Sequence, residues 1–246
     1  MNPASIQPIP SEPALFIKEK KILVLADLHI GIERELYQSG LHVCSQTFFM
    51  MNRVLHLIKR YIPEKIILLG DVKHNIPSST IQERGDVKRF VESILNIGEI
   101  HIIPGNHDGG IQKIVPSEII IHPSDGCVID EIAFVHGHRW PKEEIMQCNT
   151  VIIAHNHPRI LLTDRLGYRS YESCWLRGKG DSSLSQRYHS LLKTTIIVMP
   201  AFNPLCGGIA INTDSMIGPF QKIIDINKTS VYLLDGSYLG KVKDIH

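Results

Sequence analysis

The strongest constraint on the fold is a recurrence: five short apolar runs end directly in residues of metal-ligand type. They read ILVLA-Asp27-Leu28-His29, IILLG-Asp71, IHIIPG-Asn106-His107-Asp108, IAFV-His136-Gly137-His138 and TVIIA-His155-Asn156-His157. Runs this short and this uniformly apolar are strands buried on both faces. Between the first three lie stretches of helical period. Phe48, Met51, Leu55 and Ile58 mark a helix within Ser45 to Tyr61 that Pro63 closes, and Val87, Phe90, Val91, Ile94 and Leu95 mark a second. Strand alternating with helix-length crossover predicts a parallel sheet with helices on both faces. In such sheets the carboxyl ends of neighbouring strands face one crevice, so residues far apart in sequence meet there.

Upstream, ALFI, the charged turn KEKK and ILVLA read as a β-hairpin. After Pro116 the rhythm changes: EIIIH, CVID, IAFVH, TVIIAH, ILLTD and ESCWLRG are strand-like with few helices between them, which suits a second sheet. The predicted class is therefore α/β, with an αββα layering. A polar stretch from Leu166 to Lys193, containing Gly178, Gly180 and DSSLS, reads as surface loop or short helix, and TTIIVM, KIIDI and VYLLD return to strand. No repeat or linker interrupts the sequence. One domain over residues 1–246 is expected, with core motifs at 22–158 and strands within 160–246 completing the second sheet.

Composition removes several classes. The 246 residues are 43% hydrophobic and 21% charged, an ordinary globular balance, and 26 Lys and Arg against 25 Asp and Glu give no global basic signature of a nucleic-acid binder. No apolar run approaches the ~18 residues of a membrane span. The start, MNPASIQPIPSEP, lacks the basic and apolar regions of a secretory signal, so a cytoplasmic location without membrane partners is expected. The five cysteines are scattered and form no C-x-x-C pair, which argues against disulfides or a thiolate zinc site and predicts reduced core residues.

The histidines number 13 and cluster in the strand-end motifs. Imidazoles, carboxylates and an amide oxygen suit Mn²⁺, Fe, Zn²⁺ or Ni²⁺ in mixed N/O coordination. There are too many donors for one tetrahedral zinc and about the right number for two metals bridged by a carboxylate. Any one D-x-H or H-x-H is a weak signal, but burying all five sets without partners would be costly. Two metals of this kind activate water and clamp the oxygens of an in-line displacement at phosphorus, so phosphoester hydrolysis is the expected reaction.

The order D-x-H, G-D, G-N-H-D, H-G-H and H-x-H, from Ile22 to Pro158, resembles the calcineurin-like metallophosphoesterase family. The resemblance implies a four-layer αββα sandwich (the metallophosphoesterase fold) and two divalent ions, Mn²⁺ first. It implies one metal on Asp27, His29 and His157, another on Asn106, His136 and His155, and Asp71 bridging them. His107 would be a catalytic non-ligand that protonates the leaving oxygen or stabilises the transition state, with Asp108 orienting it. Two positions depart from the pattern: Ala154 stands where the family usually has glycine, and His74 where many relatives carry another polar residue, either as a substrate contact or as support for a ligand.

Cys174-Trp175-Leu176-Arg177-Gly178 and the run from Met199 to Gly208 are similar to a bacterial and archaeal subgroup. Some members of that subgroup are linked to DNA repair helicases or ligases, or described as endonucleases. Trp175 and Phe202 read first as core and the run's two prolines, Asn203 and two glycines as a rigid turn, and Asn203 is the best pocket residue of the run. Arg139, Trp140 and Arg159, just beyond ligand motifs, could hold phosphate or stack a base, or could form surface ion pairs. Between Asp164 and Lys193, six basic residues against three acids interleave with Tyr168, Tyr171, Trp175 and Tyr188; the stretch reads first as a solvated charged face with core aromatics, and as a binding surface it weakly favours a single-stranded DNA or RNA substrate over a small phosphodiester. The leading expectation is thus a metal-dependent phosphodiesterase with a metal-bound hydroxide as nucleophile, with a phosphomonoesterase and a non-catalytic scaffold subunit as alternatives.

Overall fold

The computed structural model describes residues 6–181, 187–188 and 194–245. Two sheets stack face to face. The first has the order β1 (Ile6–Pro8), β2 (Ala14–Ile17), β3 (Ile22–Ala26), β4 (Lys65–Leu69), β5 (Glu99–Ile103) and β6 (Ile120–Ile121). The β2–β3 hairpin is antiparallel, whereas β3, β4, β5 and β6 run parallel, as their helical crossovers require. The second sheet runs β14 (Tyr238–Lys241), β13 (Ser230–Leu233), β11 (Arg169–Lys179), β12 (Thr195–Val198), β9 (Thr150–Ile153), β8 (Ile132–Val135) and β7 (Cys127–Ile129), and β10 (Arg159–Thr163) also pairs with β11. Its centre, β8, β9 and β12, is parallel.

Alternation of side chains divides each apolar run between two cores. Leu23, Leu25, Ile66, Leu68, Ile100 and Ile102 face α2 (Thr47–Tyr61), which follows the short α1 (Glu33–Gln38), and α3 (Ile81–Ile94). Val24, Ala26, Ile67, Leu69 and Ile103 face inward onto Phe134, Ile152, Trp175, Ile197 and Met199 of the second sheet. Each fully buried Ile, Leu or Phe contributes roughly 1.5–3 kcal/mol before entropy is subtracted, so this shared core holds the sheets in fixed relation. The outer face of the second sheet is covered by short helices, α4 (Glu143–Met146) and α5 (Phe220–Ile223), with Tyr188, Ile211 and Met216. The layers are therefore αββα, with a thin fourth layer.

Several expectations shift. Helices cover one face of the first sheet, because the other is taken by the second sheet. The EIIIH run joins the first sheet as β6 beside β5. KIIDI is not a strand: its first residues lie in α5, where Phe220 and Ile223 bury their side chains against the second sheet. Along α2 the buried face is Met50, Val54, Leu57 and Ile58, while Phe48 is 67% exposed, because a sequence with apolar residues on two sides leaves the choice of face to tertiary packing. Residues 169–179 of the polar stretch form the longest strand, and DSSLS lies almost wholly outside the described residues. Cys44 is exposed rather than core. Among the described residues, no helix is long and apolar enough to cross a membrane.

Candidate metal centre

The loops leaving β3, β4, β5, β8 and β9 all open at the carboxyl edge of their parallel strands and meet between the two sheets. The first sheet delivers Asp27 and His29, Asp71, and Asn106 and His107, and the second delivers His136, His155 and His157. Asp27, His29, Asp71, His155 and His157 all adopt left-handed backbone, φ from 40° to 71°. Non-glycine residues avoid this region at a cost of order 1 kcal/mol each, so neighbouring loops must hold them there. His29 N–H donates to the Asp71 carbonyl at 2.7 Å and Asp27 N–H to that of Gly70 at 3.2 Å. Gly70 itself sits at φ 78°, and a β-carbon there would overlap the His136 ring. Ala154 has no positive φ and is fully buried, so the absence of glycine there disturbs nothing.

Donor atoms gather in four groups among the described residues, and two of the four share Asp71. Asp27, His29 and Asp71 form one, Asp71, His136 and His155 the other, and within each group the ligating atoms lie within 4.8 Å of one another. His136 Nε2 is 3.2 Å from Asp71 Oδ2 and 3.3 Å from Asn106 Oδ1, His29 Nε2 is 3.5 Å from Asp71 Oδ2, and His157 Nε2 is 3.4 Å from Asp27 Oδ1. Asp27 Oδ1, His29 Nε2 and His157 Nε2 are buried without a hydrogen-bond partner. Orphaned donor atoms converging in this way fit a divalent cation.

The opposite edge of each imidazole sets its tautomer. His157 Nδ1 donates to the Gly207 carbonyl at 3.0 Å and His136 Nδ1 faces the Leu69 carbonyl at 3.3 Å, which leaves Nε2 of each for coordination. For His29 the setting runs through a second ring. Glu35 Oε2 accepts from His74 Nε2 at 2.6 Å, so His74 Nδ1 is an acceptor for His29 Nδ1–H at 3.1 Å, and His29 Nε2 is bare. The His74 side chain thus sets the tautomer of a candidate ligand, and the His74 backbone carbonyl accepts from His107 Nδ1. His107 Nε2 is then the ring atom that can carry a proton into the cavity.

The electrostatics are those of buried carboxylates packed against buried imidazoles. Burial alone would raise Asp27 and Asp71, yet His157 and His136 outweigh it and hold both carboxyls below their ordinary range. Burial likewise opposes the charge on His136, but Asp71 and Asp27 raise it to about 9, and Asp27 raises His157. His29 falls to about 3 and His155 to about 4, chiefly by burial. Burial and the Asp71 charge push Asp108 up to about 6, against hydrogen bonds from Gly105 and Lys73.

Other predicted residues lie apart from the donor groups. The hydrogen bonds found at Asp108 run to backbone: its carboxylate accepts from Gly105 N–H at 2.8 Å and Lys73 N–H at 3.1 Å, tying two of the strand-end loops together. Asn203 is 1% exposed and donates to the carbonyls of Leu28, at 2.8 Å, and His29, at 3.4 Å, so it braces a ligand loop rather than facing the cavity. Arg159 turns away, with Nη2 donating to the Tyr171 carbonyl at 2.7 Å. Arg139 is exposed, and Trp140 stacks under Arg187 at 4.3 Å. Sequence reading missed Glu35 and Cys206. Glu35 carries no signal, since it reaches His74 only through the tertiary fold. Cys206 sits in a Pro-Leu-Cys-Gly-Gly turn, and its sulfur lies within 4.8 Å of ligating atoms of His29 and His157.

The calcineurin-like phosphoesterase family model matches residues 20–192, which carry every ligand motif and most of the chain. The chain belongs to that family. Members of the calcineurin-like phosphoesterase family are hydrolases of ester bonds that use divalent metals, and the donor groups above fit such ions. Among solved structures, the nuclease MPE of Pseudomonas putida superposes with a TM-score of 0.59 at 20% identity, over 94% of this chain and 97% of the other. The phosphoesterase Yfce of E. coli aligns at 14% identity and a TM-score of 0.39, over 89% and 97%. No curated protein matches the chain by sequence.

Proposed function

We propose that this calcineurin-like phosphoesterase is a dinuclear-metal phosphodiesterase of nuclease type, acting on single-stranded nucleic acid. The observation that carries the reading is Asp71, the one carboxylate that two of the donor groups share. Asp27, His29 and His157 would hold one ion, Asn106, His136 and His155 the other, and Asp71 both. A divalent pair, with Mn²⁺ the first choice, would lower the pKa of a bound water and neutralise charge on the phosphoryl oxygens. The chain's own residues do the rest. His107, held through Nδ1 by the His74 carbonyl, offers Nε2 for proton transfer to a leaving oxygen. Asp108 and Asn203 keep the ligand loops in register.

A polymeric diester fits the surroundings. The cavity, about 370 Å³ and lined by His29, Asp71, Asn106, His107, His155 and His157, is shallow and open to solvent. From its rim the β10–β11 hairpin carries Arg165, Tyr168, Arg169 and Tyr171 outward, with Tyr168 72% and Tyr171 47% exposed. Exposed aromatics beside basic residues stack bases and track a backbone. The P. putida neighbour, named a nuclease, points the same way.

The test is hydrolysis of bis-p-nitrophenyl phosphate beside p-nitrophenyl phosphate with Mn²⁺, then of labelled single-stranded DNA, each with Asp71→Asn as control. Metal-dependent turnover of the diester and of DNA, lost in the variant, is expected. Turnover of the monoester alone would replace the reading with a phosphatase. Silence on every substrate would return weight to a scaffold.

A further inference from the structure

The described cysteines are scattered, and Cys206 alone of them stands beside the metal-ligand loops. It occupies the turn after Asn203 and Pro204, with Cys206 N–H donating to the Asn203 carbonyl at 3.2 Å. Two contacts press this turn against the ligand loops. His157 Nδ1 donates to the Gly207 carbonyl at 3.0 Å, and only a glycine fits at 208, where a β-carbon would overlap the His157 carbonyl. The Cys206 sulfur lies 3.8 Å from the Asp27 carbonyl oxygen, and Sγ joins ligating nitrogens of His29 and His157 within 4.8 Å. His29, 4% exposed, has its Nε2 unpartnered, as has His157, and Asp27, fully buried, leaves Oδ1 unpartnered. Donors about a metal with bonds of ~2.0–2.3 Å stand ~3.5 Å apart, so only a small contraction would close this set around an ion.

We propose that Cys206 is a thiolate donor to the metal position formed by Asp27, His29 and His157, and that it biases this position toward Zn²⁺ or Co²⁺ over Mn²⁺. The inference rests on the metal-centre reading above. On binding, a sulfur–metal bond forms, the S–H bond breaks and its proton leaves to solvent, with no change of oxidation state. Carboxylate and imidazole alone suit hard and borderline ions about equally, whereas a thiolate is a soft donor that Mn²⁺ accepts poorly. The two positions would then differ: one carries sulfur, while the group of Asp71, His136 and His155 has only nitrogen and oxygen. Sequence spacing gave no warning, because Cys206 has no partner cysteine within reach of a zinc motif and meets His29 only through the fold.

Cobalt distinguishes the possibilities without reference to activity. Reduced, metal-free full-length protein is titrated with Co²⁺, reading the visible d–d bands and the near-ultraviolet thiolate-to-cobalt charge-transfer band. The wild type is expected to develop both. Cys206→Ser should keep the d–d bands and lose the charge-transfer band, and exposed Cys44→Ser should keep both. In competition, the same Cys206→Ser change should lower the preference for Zn²⁺ over Mn²⁺ by ~10-fold or more. With Zn²⁺ bound, X-ray absorption should find a sulfur neighbour at about 2.3 Å in the wild type only. Visible bands without a charge-transfer band in the wild type would overturn the proposal and leave the metal centre standing. A charge-transfer band that survives Cys206→Ser, or vanishes in Cys44→Ser, would overturn it too. If no d–d bands appear, the metal centre and the proposal fall together.

Discussion

Gly70 and Asn203 pack against the proposed ligands without belonging to them, and each makes a separable prediction. At Gly70 the positive φ and the His136 ring both exclude a side chain, so Gly70→Ala is expected to cost at least ~3 kcal/mol and to remove Mn²⁺-dependent diester hydrolysis. Gly109, two residues past His107 and facing open space, is the matched control: Gly109→Ala should change stability by less than ~0.5 kcal/mol. Thermal unfolding of both variants checks this, and equal losses would contradict it. Asn203→Ala strips partners from the buried Leu28 carbonyl and from His29, and leaving such groups unsatisfied costs ~1–3 kcal/mol. Because the damage falls on the loop that carries Asp27 and His29, the same variant should bind Co²⁺ more weakly. A stability loss with unchanged affinity would show that the ligand loop does not depend on this brace.

At the scale of elements, β5 and β6 carry a pH response remote from the metal centre. His101 in β5 is 5% exposed, and its Nδ1 lies 2.8 Å from Nε2 of His122 just after β6, so one proton serves both nitrogens. Around the pair, Glu99 stands 3.3 Å from His101 Nε2, and Lys65 is ion-paired to Asp130. Burial lowers both imidazoles. With folded values below the unfolded ~6.5, the unfolded chain takes protons first, so this pair costs nothing above pH 7 and destabilises the fold as pH falls below ~6.5. Between pH 7 and 5 the urea midpoint of His122→Gln should therefore fall less steeply than that of the wild type. Parallel slopes would refute it. The elements themselves were legible wherever one local signal decided them. The apolar runs became β3, β4, β5, β8 and β9 because nothing but burial on both faces suits them, and the ligands at their ends converged because parallel strands share a carboxyl edge. Legibility failed where a partner decided: which face of α2 packs, which sheet receives β6, and that KIIDI is drawn into α5 by Phe220. It failed too for Glu35 and Cys206, which meet His74 and His29 only through contacts far apart in sequence.

Over the whole molecule the proposed metal centre would act as a clamp, since Asp27, His29, Asp71 and Asn106 come from the first sheet and His136, His155 and His157 from the second. Without metal, the buried carboxylates Asp27 and Asp71 are neutralised by protons on His136 and His157. A group raised in the folded state stabilises it fully below its unfolded pKa and loses that contribution as pH rises through the folded value. For His136, that window runs from ~6.5 to about 9. Metal-free protein should accordingly lose stability between pH 7 and pH 9. A bound cation takes the place of those protons and needs the imidazoles neutral, so its affinity rises over the same range. At 100 times Kd a ligand adds ~2.7 kcal/mol, which for a chain of this size is a Tm rise of roughly 5–10 °C. Scanning calorimetry with EDTA or Mn²⁺ should find that rise, larger at pH 9 than at pH 7. Asp71→Asn removes the shared ligand and one of the buried anions, so it should abolish the Mn²⁺ shift while costing the metal-free protein much less than the wild type loses on demetallation. A variant that unfolds with or without metal would mean that Asp71 is needed for the fold itself, whereas an undiminished Mn²⁺ shift would mean that the ions sit elsewhere.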